Sequence, residues 1–355
     1  MHGEARTAEA AAMNADLAQT YDEVDGLLAS TLDVDDYVSL ESLKITIVEH
    51  PPFEPGELAI PVPPMLQLVY PPEPVYQEPA APKGLSGTFG GKKRHEERVA
   101  QARAAHESAQ RAWHEHSTRM HTDYVAEFER RKQAEQDRIR NLAAAEATYK
   151  DQCRQREAEA EERNQELTTF INDLAFDVES AIQDYVGVVL SNSVYPDTFP
   201  VSYDHKFDIG SRELTLTVTV PEPSSIPAVK EYRYVKAKDE IVPAALPVKA
   251  QKERYANAVW QVAVRTLHEI FEADRAGKIR SVALTVGTSH IAPTTGRPDH
   301  VPLAIVAADR QTFTTFDLFN VVPHATLTHL GAALSKSPFE LAPADTSAGV
   351  RVRGT

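Results

Sequence analysis

The chain has 355 residues, a single cysteine and a formal net charge of −15. That length is enough for two or three domains with a real buried core. Lone Cys153 excludes an intrachain disulfide, which fits a reducing compartment. The acidic balance argues against a protein that holds nucleic acid through overall charge, because phosphate attraction needs basic surface.

The charge is unevenly spread. Residues 1–91 have a net charge of −12, residues 92–194 of −4 and residues 195–355 of +1, which leaves room for a local basic face in the last part. The start, MHGEARTAEAAAM, lacks the basic and apolar regions of a signal peptide. No apolar run approaches the roughly 18 residues a membrane span needs. A soluble, cytoplasmic protein with no membrane partner is expected.

Residues 5–30 carry Leu17, Tyr21, Val24, Leu27 and Leu28 at helical spacing, which predicts a helix. The acidic cluster Asp33, Asp35 and Asp36 that follows lacks the glycine and distal glutamate of an EF-hand loop, so it reads as a solvated capping turn. Residues 51–82 hold 11 of the 24 prolines. Proline removes a backbone donor and fixes φ, so this stretch favours extended polyproline geometry, as a stiff linker or as a strap over a neighbouring helix. The interleaved Phe53, Leu58, Ile60, Leu66, Leu68 and Tyr70 suggest that it packs. Gly84–Gly91 reads as a flexible joint.

From Lys92 to Val186 the sequence contains no Gly and no Pro and is rich in Ala, Glu, Arg and Gln, good helix formers. A seam through Val99, Ala102, Ala109, Trp113, Met120, Tyr124 and Phe128, then Ile139, Leu142, Tyr149, Cys153, Ala160, Leu167, Phe170 and Leu174, predicts a coiled coil. The polar run His114–Asp123 is its weakest part, and a fold-back into a helical hairpin is expected there. His114, His116 and His121 are spaced by two and five, which does not place metal ligands on one helix face.

After Pro196 the period changes to two. KFDIGSRELTLTVTV predicts a hairpin turning at Ile209-Gly210-Ser211, with Leu214, Leu216, Val218 and Val220 on one face. Further strands are expected at Val229–Ala237, Ile279–Gly287 and Val301–Ala308, a helix over Ala244–Ala273, and short helices near Thr312–Leu318 and Pro323–Leu334. This order predicts an α+β fold: a long helical coiled-coil region, then a domain with a mainly antiparallel sheet and packed helices. The expected organisation is an acidic helical segment (1–50), a Pro-rich linker or strap (51–91), a long coiled coil or hairpin (92–192), the α+β domain (193–343) and a disordered tail (344–355).

Several stretches carry a family resemblance: TYDEVDGLLASTLDVDDYVSLESLK, EHPPF, PAAPKGLSGTFGGKK, KEYRYVKAKDEI, RYANAVWQVAVRTLHEIFEADRAGKI and HLGAALSKSPFEL. Together they resemble the N-terminal, non-catalytic region of actinobacterial Mrr-like restriction-system proteins, related to type IV restriction endonucleases. The resemblance implies a recognition and oligomerisation part of a DNA-defence system, with duplex DNA, modified or not, as partner. In longer relatives a nuclease domain of the PD-(D/E)xK type follows. Here its catalytic residues have no positions to map onto, so the resemblance implies a nuclease that is either supplied as a separate subunit or lost. A coiled-coil scaffold with no DNA role is the alternative.

Pro196-Asp197 with Asp204-His205-Lys206 spells out the letters of such a nuclease motif. The aspartates are too close in sequence, and SYDHKF is not a buried apolar strand, so no catalytic residue is expected there. No P-loop, dinucleotide glycine pattern, G-x-S-x-G or Cys/His zinc framework occurs, and neither cofactor nor metal is expected. His268 and Glu269 read as structural or exposed residues of an amphipathic helix. The binding candidate is KEYRYVKAK, where strict alternation would place Lys230, Tyr232, Tyr234, Lys236 and Lys238 on one face to track phosphates and stack bases. The competing reading is a half-buried strand with core tyrosines and snorkelling lysines.

Overall fold

A computed structural model describes residues 2–81, 90–292 and 294–347. Two compact units make up the chain: Ile45–Glu162, and residues up to Lys44 together with those from Arg163 onward. Most of the expected joint at Gly84–Gly91, and the tail beyond Ser347, lie outside the described residues. The described start of the tail is tied down, since Ala344 N–H donates to Pro302 O (2.7 Å) and Asp345 pairs with Lys336.

The first unit is a strap on a helix. Helix α2 spans Gly91–Ala175 without interruption and passes straight through His114–Asp123. The expected hairpin is therefore corrected. No Gly or Pro breaks the stretch, and the weak polar centre is covered by the proline-rich segment rather than by a second helical arm.

That segment runs antiparallel to the helix. His50 meets Glu157 (3.1 Å), Tyr149 OH donates to Pro51 O (2.8 Å), and Val62 N–H donates to Glu135 Oε2 (3.0 Å). Trp113 Nε1–H donates to Pro71 O (2.8 Å), and Tyr76 stacks beside His106. The two lengths agree. From residue 50 to residue 76, polyproline geometry at about 3.1 Å per residue covers about 81 Å. From residue 157 back to residue 106, a helix at about 1.5 Å per residue covers about 77 Å.

Polyproline backbone makes no internal hydrogen bonds, so its carbonyls need outside donors. Arg131 and Arg138 supply them, to Pro63 O and Leu58 O. The shielded stripe of the helix steps from Val99 through Trp113, Tyr124, Glu135 and Tyr149 to Ala160, at 3.6 residues per step over 17 steps. That is the period of a straight helix, whereas a left-handed coiled coil repeats every 3.5. Phe128 and Ile139, expected in the seam, lie outside this stripe and are about half exposed. Spin labels at Val99 and Ile139 are expected about 60 Å apart within one chain, from 40 helical residues at 1.5 Å each. Electron–electron resonance would reveal a fold-back as a short distance.

The second unit holds the sheet. Its order is β1-β2-β5-β6-β7, formed by β1 (Ser202–Asp208), β2 (Glu213–Val220), β5 (Ser281–Ile291), β6 (Pro298–Asp309) and β7 (Ala333–Leu334). All neighbours are antiparallel except β2 and β5. The hairpin turns where expected, and Leu214, Leu216, Val218 and Val220 are buried on one face. A parallel β2–β5 pair needs a long crossover. It consists of a separate ribbon, β3 (Val229–Val235) with β4 (Glu240–Ala245), and helix α4 (Val248–Ala273). The expected helix start at Ala244 falls instead at the end of β4.

α4 packs on β5 and β6, and helix α3 (Glu179–Asn192) packs on β1. The predicted helical run to residue 192 breaks at Asp177, whose φ of 58° ends α2. Helix α1 (His2–Asp25) lies on β3, where the Asn14 side chain both donates to Tyr232 O (2.9 Å) and accepts from its N–H (2.7 Å). Short helices α5 (Arg310–Phe313) and α6 (Pro323–His329) complete the unit. Among the described residues no helix is long and apolar enough to cross a membrane.

Candidate metal centre

Helix α4 places Arg265, His268, Glu269 and Glu272 on one side, because residues three and four apart share a helix face. Charged groups on a buried helix face must be paired. Arg265 and Glu269 have side chains 4% and 1% exposed and meet at 2.6 Å. The Arg265 guanidinium also donates to Leu27 O (3.0 Å), Ser30 Oγ (3.1 Å), Ser193 Oγ (3.1 Å) and Val194 O (2.8 Å), and it lies over the Tyr195 ring. Glu269 Oε1 accepts from Ser193 Oγ–H (2.7 Å). This network fastens the segment after α1 and the end of α3 to α4.

One turn along, Thr31 joins it to a second cluster. Thr31 Oγ lies 3.3 Å from Glu269 Oε1 and 3.4 Å from Asp36 Oδ1. Beyond it, Asp36 Oδ2, His268 Nε2 and Glu272 Oε2 converge. His268 Nε2 is 3.2 Å from Glu272 Oε2 and 4.0 Å from Asp36 Oδ2, and all three atoms lie within 4.8 Å of one another. Each is shielded from solvent, and none has a hydrogen-bond partner of good geometry. The Asp36 side chain is nine-tenths buried. Its place in a solvated turn is therefore corrected: Asp35 faces Tyr37 N–H and Arg275, while Asp36 turns inward toward α4.

Burial pushes the Asp36 carboxyl up to about 7, helped by the adjacent Glu272 and Glu269 carboxyls and opposed by Arg265. Burial holds His268 below its ordinary value. A raised carboxyl pKa in the folded state stabilises the fold fully below the unfolded value and loses that contribution as pH rises toward 7. In protein stripped of divalent ions, the Asp36 contribution to stability is therefore expected to fall between about pH 4 and 7, against the lowered His268, whose contribution grows as pH rises toward 6.5. Asp36→Asn should flatten that part of the curve, and thermal melts of both proteins across the range check it.

The other candidates stand apart. β3 ends at Val235, so Lys236 and Lys238 lie in the β3–β4 turn. A register shift between Val229 and Glu231 interrupts the alternation at Lys230. The single face expected for the five residues is thus corrected: Tyr232 and Tyr234 are half-buried, with Tyr234 beside Gly3 of α1 and its hydroxyl on Asp239 (2.8 Å), while the three lysines are exposed. Asp204 and Lys206 are exposed on the edge strand β1, and Asp197 is exposed in the preceding turn. On α2, His121 contacts Tyr70 OH (2.9 Å) and His114 stands edge-on to Trp113.

His268-x-x-x-Glu272 was a legible i, i+4 ligand pair. Nothing in sequence pointed to Asp36, more than 230 residues away, as its third member. No family model, curated protein or solved structure matches the chain.

Proposed function

We propose that this chain is a non-catalytic recognition and oligomerisation component of a restriction-type DNA-defence system. The observation that supports this reading is where the family-like stretches fall. Two of the longest, residues 20–44 and 254–279, are remote in sequence yet pack on each other. Arg254 pairs with Asp25, Gln261 Oε1 accepts from Leu28 N–H, Arg265 caps Leu27 O, and Arg275 reaches Asp35. These two resembling stretches thus pack into one body.

DNA contact in this reading falls to Lys230, Lys236 and Lys238 as phosphate ligands, without base stacking by the tyrosines. Self-association falls to a second copy meeting the α2 face that the strap leaves open, where Val125, Phe128 and Ile139 are exposed. The test is titration of labelled duplex, methylated and unmethylated, between 50 and 200 mM salt with magnesium. Binding should weaken as salt rises, and replacing the three lysines by Ala should weaken it further and flatten the salt slope. Binding unchanged in that variant removes the lysines from the reading.

The scaffold reading has its own supporting observation, since Val125, Phe128 and Ile139 stay exposed on α2 beside the strap and offer a surface for another chain with no DNA role. An absence of duplex binding at 50 mM salt, together with retained self-association, would favour it.

A further inference from the structure

We propose that Asp36, His268 and Glu272 together bind one divalent transition-metal ion of the zinc class. One imidazole nitrogen and two carboxylate oxygens form a donor set that suits zinc, cobalt or manganese, whereas magnesium favours oxygens and retained waters. Ligands about 2.0–2.2 Å from a tetrahedral ion stand about 3.3–3.5 Å apart. The observed 3.2 and 4.0 Å separations, with the Asp36–Glu272 pair within 4.8 Å, reach that by side-chain movement.

Partnering supplies the independent argument. All three ligand atoms lie within 4.8 Å of one another, are shielded from solvent and have no hydrogen-bond partner of good geometry, and the Asp36 side chain is nine-tenths buried. A buried carboxylate without partners is costly, and a divalent cation compensates two carboxylates at once. Outer support is in place: Thr31 Oγ reaches the other Asp36 oxygen and joins it to the Arg265–Glu269 pair. Such outer contacts orient metal ligands and raise affinity.

His268 and Glu272 also border an open cleft of about 320 Å³ walled by Phe271, Phe313, Phe316 and Phe319. The ion would pin the loop carrying Asp36 to α4, so its binding free energy adds to folding.

The test uses the full chain stripped with a chelator and titrated calorimetrically with zinc, then with cobalt, whose visible absorption reports coordination. The expected result is one saturable site per chain, an imidazole–carboxylate cobalt spectrum and a higher melting temperature with zinc. Asp36→Asn and His268→Gln should each weaken binding by about 100-fold or more, the upper end of what even supporting residues achieve. Should either variant fail to fold, Glu272→Gln decides, because its side chain is a third exposed and its loss spares the core. No saturable binding overturns the proposal, and so does binding that survives these changes, which would place the ion on His114, His116, His121 or Cys153. Zinc-independent sharing of a proton between Asp36 and Glu272 is the outcome in which calorimetry is silent, and it too overturns the proposal.

Discussion

Arg265→Met is expected to destabilise the sheet-containing unit by about 3–5 kcal/mol, the range for breaking one side of a buried ion pair. The size follows from what the arginine leaves behind. Glu269, 1% exposed, is left with the Ser193 and Thr31 hydroxyls as its hydrogen-bond partners, and the carbonyls of Leu27 and Val194 lose a charged donor. Much of the penalty is the stranded carboxylate rather than the lost attraction. The double variant Arg265→Met/Glu269→Leu should therefore recover a large part of it, since an apolar replacement for both partners removes the unpaired charge. Urea unfolding of the wild type, both singles and the double closes the cycle. If the double is as unstable as the arginine single, the cost lies in packing against Tyr195 and in the lost backbone contacts, and the electrostatic account fails.

What could be read in the sequence was what local chemistry decides. Leu214, Leu216, Val218 and Val220 alternate because one face of β2 is buried, so the strand and its turn at Gly210 were visible. The long helix was visible because nothing in it breaks a helix. Its covering was harder to read. The Ala-rich seam suggested a second helix, yet an extended strap can cover the same stripe by hydrogen-bonding through Arg131, Glu135 and Arg138, residues that a hydrophobic count treats as solvent-facing. The parallel pairing of β2 with β5 depends on a crossover spanning some sixty residues, which local periodicity does not encode. The lysine–tyrosine face failed on one register shift and a strand two residues shorter than expected. Asp36 was hidden for a related reason: whether a residue in an acidic turn faces water or a distant helix is set by tertiary packing.

Trp113→Ala with Tyr149→Ala should release the outer parts of the strap. These two residues anchor it near its ends by the same device, a ring on the proline-rich chain and a polar hydrogen on a strap carbonyl, to Pro71 O and Pro51 O. Tyr149 also packs on Phe53, with ring centroids 5.4 Å apart. Both side chains are half-buried, so each truncation should cost about 2 kcal/mol, below the 3–5 kcal/mol of a fully buried aromatic. Outside the short turn at Gly56–Ala59 the strap has no internal hydrogen bonds, so with these anchors gone its outer parts are left to the contacts of His50, Tyr70 and Tyr76, while Leu58, Val62 and Pro63 still hold its middle. A spin-label pair at Val75 and Ala109 should show strong dipolar broadening in the wild type, given the neighbouring Tyr76–His106 contact, and lose it in the variant. Chymotrypsin should then cut at Leu66–Tyr70. The control is Phe128→Ala with Ile139→Ala, which removes aromatic and aliphatic surface from the exposed side of the same helix. If the strap lies as described, that control leaves the broadening intact. Equal loss in both variants would mean that the strap follows the helix's overall stability rather than specific anchors.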